Sequence, residues 1–252
     1  MATAVMPPRK ILNVPAVAPA HYSRNFIRQA VCELRFPTLL ELEQHSPVQF
    51  SKAIRKEYPT YNLLKDLQLS SVNVAQANAH SFKSKNHRWT VTVRAAAISI
   101  ETSNYDSYTE FQQRVAYVIK AAVGTIDSDF FTRVGLRYIN TVPFEADTIS
   151  DWVNPALTGP LSDGVLGSVD QYWHVISGPT NVGGYTFQHG VAARKNTPSE
   201  NEYALDFDFF REDVPVADVP QVLGELHALE FSMFHWALGT KGRESLGPSD
   251  LR

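Results

Sequence analysis

Glu202–Phe210 reads EYALDFDFF, which sets Tyr203, Leu205, Phe207 and Phe209 on one face against Asp206 and Asp208 on the other. Side chains alternate across a strand, so this segment has one apolar and one polar side, as in an antiparallel sheet covered on a single face. A helix follows it. Asp218 and Gln221 have the spacing of N-terminal capping residues, and Val222, Leu226, Leu229, Met233 and Ala237 recur with the helical period before Gly239.

The same strand-then-helix sequence occurs earlier. Ala97–Thr102 is a strand candidate, and Ser107 with Glu110 opens a helix whose stripe is Tyr108, Phe111, Val115, Val118, Ile119 and Ala122, ending at Gly124. Upstream of it, Gln29–Phe36 places Ala30, Cys32, Leu34 and Phe36 on one face before Pro37. A short helix over residues 47–58, with Ser46 as its cap, precedes strands at Val72–Phe82 and Arg88–Ala95. In the second half, Phe131–Val142, Gln171–Ser177 and Tyr185–Arg194 read as strands, with a short helix over Ser150–Leu157.

This order predicts an α+β protein of two tandem β-α-β-β-β-α units, each an antiparallel sheet covered by one long helix. Residues 1–22, with Pro7, Pro8, Pro15 and Pro19, form an extended arm; residues 23–126 are the first unit and residues 127–252 the second, packed as one body. Leu34-Arg35-Phe36 echoes Leu136-Arg137-Tyr138, and two such units suit a saddle with pseudo-two-fold symmetry.

Composition narrows the function classes. The 252 residues are 44% hydrophobic and 19% charged, with 23 Lys and Arg against 26 Asp and Glu, so no global basic excess draws the chain to nucleic acid or anionic lipid. The single cysteine, Cys32, forms no disulfide framework, which predicts a reducing, cytoplasmic setting. Arg9 and Lys10 before the apolar stretch 11–20 loosely resemble a signal peptide, but Asn13, Pro15 and Pro19 interrupt it, and no run is long enough to span a membrane.

Two groups of charged residues are candidates for a ligand or partner surface. Arg35, Arg88, Arg94, Arg133 and Arg137, with Tyr138 and Trp89 nearby, could line a concave sheet surface for phosphate or carboxylate. Neutralisation by Glu33, Glu101, Asp206 and Asp208 on neighbouring strands is the simpler expectation. Asp206 and Asp208, two apart on one strand, have the geometry of a carboxylate pair, which Glu101 could join. His227 and Glu230 lie three apart on a helix, but with His235 two turns on they make no metal motif, and a packing histidine is expected.

No nucleophile elbow occurs, Cys32 belongs to an apolar face, and Gly178, Gly183 and Gly184 flank a strand without opening a helix. No catalytic residue, metal site or cofactor is therefore expected. Trp152, Trp173 and Trp236 are candidate interface anchors. The leading expectation is a non-enzymatic module that binds another protein subunit, with self-association open. Nucleic-acid or nucleotide binding on the arginine face is second, and a metal-dependent hydrolase using Asp206, Asp208 and Glu101 third.

Tyr22 with residues 28–37, residues 105–111, Gly135-Leu136-Arg137-Tyr138-Ile139-Asn140, residues 206–209, and Leu226-His227 with Phe234 and Lys241-Gly242-Arg243-Glu244 together resemble an uncharacterised bacterial family. Its members are about this long and are sporadically distributed among genomes. The resemblance covers nearly the whole chain, with residues 136–140 its most specific part. It implies no activity or cofactor. It does imply a setting on mobile elements or in antiviral and toxin–antitoxin islands, and hence a sensor, antitoxin-like or accessory subunit.

Overall fold

Alternating apolar residues at the centre of the chain form one sheet. The computed structural model describes residues 10–69, 74–193, 201–247 and 249–250. The first part of the chain forms β1 (His21–Tyr22), β2 (Ile27–Arg35), α1 (Glu41–Gln44), α2 (Val48–Ile54), β3 (Thr60–Leu69), β4 (Val74–Lys83), β5 (Trp89–Arg94), β6 (Ala97–Thr102) and α3 (Tyr108–Ile126). The second part forms β7 (Phe130–Pro143), α4 (Ile149–Trp152), α5 (Pro155–Ser162), β8 (Tyr172–Pro179), β9 (Gly184–Ala193), β10 (Asn201–Pro215), α6 (Val219–Ala237), α7 (Thr240–Ser245) and β11 (Ser249–Asp250).

Nine strands pair in the order β3-β4-β5-β6-β2-β7-β10-β9-β8, and every pairing is antiparallel. This is a mixed α+β fold. The strands that open the two halves meet at its centre, with Ala30 opposite Tyr138 and Arg35 opposite Arg133. Ala30, Cys32, Leu34, Val134, Leu136, Leu205, Phe207 and Phe209 are all fully buried on one face. The long helices cover that face, α3 over the first half and α6 over β7 and β10. Burying a leucine- or phenylalanine-sized side chain contributes about 1.5–3 kcal/mol, so the alternation fixes which face the helices take.

The first half differs from the expected element order. Thr60–Leu69 is an extra edge strand, paired with β4 through Tyr61 opposite Phe82. Its exposed Leu63 and Leu64 break the alternation by which a half-buried strand is recognised. The expected Val72–Phe82 strand begins at Val74, and positions 72 and 73 lie outside the described residues, as does Arg194 at the end of the expected Tyr185–Arg194 strand.

Helix ends supply further corrections. Helix α3 starts as expected, with Ser107 Oγ accepting from the Glu110 N–H at 3.3 Å, but it runs through Gly124 and stops at Asp127, whose left-handed φ of 44° ends the turn. Asp218 makes no side-chain cap, because it already belongs to the 3-10 turn Val216–Asp218 that leads into α6. Ser46 does not cap α2. The helix expected over Ser150–Leu157 is two helices, the second opened by Asn154, whose side chain accepts from the Ala156 N–H before Pro155 at the first helical position.

Residues 10–20 form no regular element and run beside α6, where Ser232 Oγ holds the backbone of Val17. The next two residues, β1, pair with β11, joining the segment before β2 to the one after α7. Among the described residues, no helix is long and apolar enough to cross a membrane.

Candidate functional site

Three of the arginines expected to form a basic surface, Arg35, Arg133 and Arg137, sit among carboxylates. Arg137 makes a bidentate pair with Asp206, Nε to Oδ1 at 2.8 Å and Nη2 to Oδ2 at 2.6 Å. Arg133 reaches both oxygens of Asp208 at 2.8 Å and lies 3.6 Å from Glu33. It can lie flat there because its guanidinium crosses Gly135, where a Cβ would come within 2.2 Å of it, and it then stacks over Phe210 at 4.5 Å. Arg35 pairs with Glu33, and Arg28 with Glu202. Burial raises the Asp208 carboxyl against the opposing pull of Arg133.

Arg88 lies exposed in the turn before β5, and Arg94 ends that strand. Tyr138 and Trp89 do not join the arginines. Neighbours on a strand point to opposite faces, so Tyr138 leaves Arg137 behind and enters the helix-covered side, where Trp89 packs on Phe111. Glu101 accepts from Gln29 at 2.8 Å and is on a different strand from Asp206 and Asp208, separated from β10 by β2 and β7. Among the described residues, no three His, Cys, Asp or Glu side chains converge as a metal-ligand group.

Of the candidate aromatic anchors, Trp152 and Trp236 pack against the core, while Trp173 is 43% exposed on β8. Cys32 is fully buried, and burial pushes its thiol far up, which leaves it inert. Gly178, Gly183 and Gly184 belong to the β8–β9 hairpin and its turn.

Among the described residues, two unsatisfied polar atoms, Glu230 Oε2 and the Tyr108 hydroxyl, belong to residues that line one cavity on the helix side, away from the expected arginine surface. A cavity of about 730 Å³ opens between the start of α3 and the middle of α6. Tyr138 and Asn140 of β7 and Phe207 of β10 line it, and residues 19–22 with Arg24 and Asn25 form another part of its wall. That volume suits a small organic ligand.

Glu230 of α6 lines this cavity and is only 1% exposed. Its Oε1 accepts from the Tyr138 N–H at 3.0 Å, and Oε2 has no hydrogen-bond partner among the described residues. Burial, reinforced by the Asp208 and Asp206 charges and opposed by the Tyr138 N–H, raises its carboxyl well above the ordinary range. A carboxyl placed so deep with a free oxygen is costly to keep without a role.

The rings around it are ordered by contact. Tyr108 and His227 stack face to face with centroids 3.9 Å apart and planes within 2°. Tyr105 meets Tyr138 edge-on at 5.4 Å, and His227 Nδ1 lies 3.4 Å from the Tyr138 hydroxyl. Burial lowers His227 to about 4, so its ring stacks as the neutral imidazole near pH 7. The Tyr108 hydroxyl has no partner among the described residues. Beyond it, Tyr22 donates to or accepts from His235 Nε2 at 2.8 Å and stacks over Phe231 at 6.1 Å, fastening the N-terminal segment to α6.

The fold and cavity together define a nine-stranded antiparallel sheet, helix-covered on one face, that holds a ligand-sized aromatic chamber with a buried carboxyl. No protein-family model matches the chain, and no curated protein is detectably similar to it in sequence.

Proposed function

We propose that the protein is a ligand-responsive regulatory module, in which a small organic molecule occupies the chamber between α3 and α6. The observation that carries this reading is Glu230, a buried carboxyl with an unpartnered oxygen on the wall of an aromatic cavity. The N-terminal segment is the element that would report occupancy, because residues 19–22 with Arg24 and Asn25 line the cavity and are tied to the C-terminal residues. A mixed fragment collection screened by protein-observed NMR should give saturable shifts clustered at the amides of Tyr138, His227, Phe231 and residues 21–25. Shifts scattered over the surface, with none at these amides, would end the reading.

A protein partner is the second part of the proposal, supported by edge strand β8. Among the described residues it pairs with β9 alone as a strand, the Leu12 N–H bonding it at its end on Pro179 O, and it exposes Val175 at 60%, Ile176 at 40% and Trp173 at 43%. Val175→Lys leaves the core untouched, and it should abolish co-purification of a native partner. A partner recovered undiminished would remove β8 from this role.

The architecture is read as an internal duplication with a saddle-like pseudo-two-fold. Support comes from the helix stripes: Phe111 and Val222, Val115 and Leu226, Ala122 and Met233, and Ile126 and Ala237 are each 111 residues apart, and all are buried. Relatives whose two halves lack this common offset would contradict it. The family resemblance is what supports a setting in a bacterial defence or mobile-element system, and the lone buried cysteine suits a reducing cytoplasm. Expression of a tagged chain with fractionation of its host checks the location.

A further inference from the structure

Duplication makes Glu230 conspicuous. The residue 111 positions earlier is Ile119, part of the apolar stripe of α3, so the carboxyl stands where the other long helix carries a hydrocarbon side chain. Isoleucine at this kind of position needs no partner, whereas a carboxyl fixed at one oxygen by the Tyr138 N–H leaves its second oxygen to be satisfied by something from the cavity.

The surroundings indicate the sign of that something. Arg133 and Arg137 are bound to carboxylates on the opposite face of the sheet, and neither pairs with Glu230. Of the cavity's wall residues, Arg24 and Asp106 are both exposed, so the rim carries one charge of each sign. The deeper wall is aromatic, formed by Tyr105, Tyr108, Tyr138, His227 and Phe231. Aromatic faces carry partial negative charge and attract cations, most strongly where water is excluded.

Resting on the ligand-binding reading above, we infer that the chamber takes a small organic amine in its protonated form, its ammonium donating to Glu230 Oε2 and its body packed between the aromatic rings. A neutral imidazole at His227 places no opposing charge in the path. Binding ionises Glu230, so the carboxyl releases a proton as the ammonium arrives and affinity falls as the pH drops through the raised carboxyl value. A neutral ring compound shares the shape but leaves the carboxyl without a counter-charge.

The test uses the full chain with three probes that share a phenyl ring and differ in head group: phenethylamine, 2-phenylethanol and 3-phenylpropionate. Phenethylamine should bind at least about tenfold more tightly than the alcohol, and the carboxylate should not bind. Glu230→Gln keeps an oxygen for the Tyr138 N–H and should erase the amine's advantage over the alcohol. Tyr108→Leu, which removes a ring but no charge, should weaken amine and alcohol together.

An alcohol that matches the amine in the unaltered protein, or amine affinity unchanged by Glu230→Gln, overturns the inference. So does an absence of phenethylamine binding while other fragments map to the chamber, an outcome that leaves the ligand-binding reading intact. If no compound of any head group perturbs the chamber amides, both fall. Near-ultraviolet circular dichroism of each variant establishes that the comparison is made between folded proteins.

Discussion

Phe207→Ala is expected to lower folding stability by about 3–5 kcal/mol, read as a shift in the urea midpoint at unchanged slope. Phe207 is fully buried on β10, stacks on Phe187 at 4.7 Å with planes within 8°, and meets Phe234 of α6 edge-on at 6.3 Å. Truncation therefore loses ring contacts to the next strand and to the covering helix together. The site is poorly able to collapse, since it is bounded by two paired strands and already borders the cavity. A loss below about 1 kcal/mol would mean that α6 moves in to close the gap, and that the helix is held less firmly than its buried stripe implies.

The second large effect is on the pH dependence of stability. The raised Glu230 carboxyl keeps its proton in the folded protein over a range in which the unfolded chain, with a carboxyl value of about 4.3, has lost it. The stabilisation from this uptake is complete below the unfolded value and is lost as pH rises through the folded one. Between the two values the loss is about 1.4 kcal/mol per pH unit. Glu230→Gln removes the titration, so its stability relative to the unaltered protein should grow with pH and then level off. Unfolding free energies from roughly pH 4.5 to 8 test this; a constant offset between the two proteins would show that Glu230 does not titrate as a buried acid.

Much of the fold was legible because it depends on local periodicity. Ala30, Cys32, Leu34 and Phe36, or Tyr203, Leu205, Phe207 and Phe209, identify their buried face by alternation alone, and both long helices follow from their stripes. Edge strand β3 was not legible, since it exposes Tyr61, Leu63 and Leu64 and its register is set by β4 rather than by a covering layer. Helix ends were misread at Gly124 and Asp218, where the neighbouring turns, and not the residue types, decide the boundary.

The site was hidden for a different reason. Arg133, Arg137, Asp206 and Asp208 stand out by charge, and they are partners in cross-strand pairs. In the sequence Glu230 stands out only by its spacing from His227. Its importance comes from burial behind Tyr138, a residue 92 positions away, and from the N-terminal segment beside the same cavity. One signal was present in the sequence. Aligning the two helix stripes puts a glutamate opposite Ile119, and an acid in an apolar row is the mark of a special position.

The fastening of residues 17–22 to residues 232–250 has a consequence for how the protein is made. Val17 is held by Ser232, 215 positions later, and His21–Tyr22 pair with Ser249–Asp250. During synthesis residues 17–22 have no docking place until residues 232–250 have emerged, and such distant contacts are slow to form. The sheet can assemble earlier; the chamber closes last. A chain cut before Ser249 would then leave the wall supplied by residues 19–22 unfastened at that point, beside the Tyr108–His227 stack and the Glu230 carboxyl.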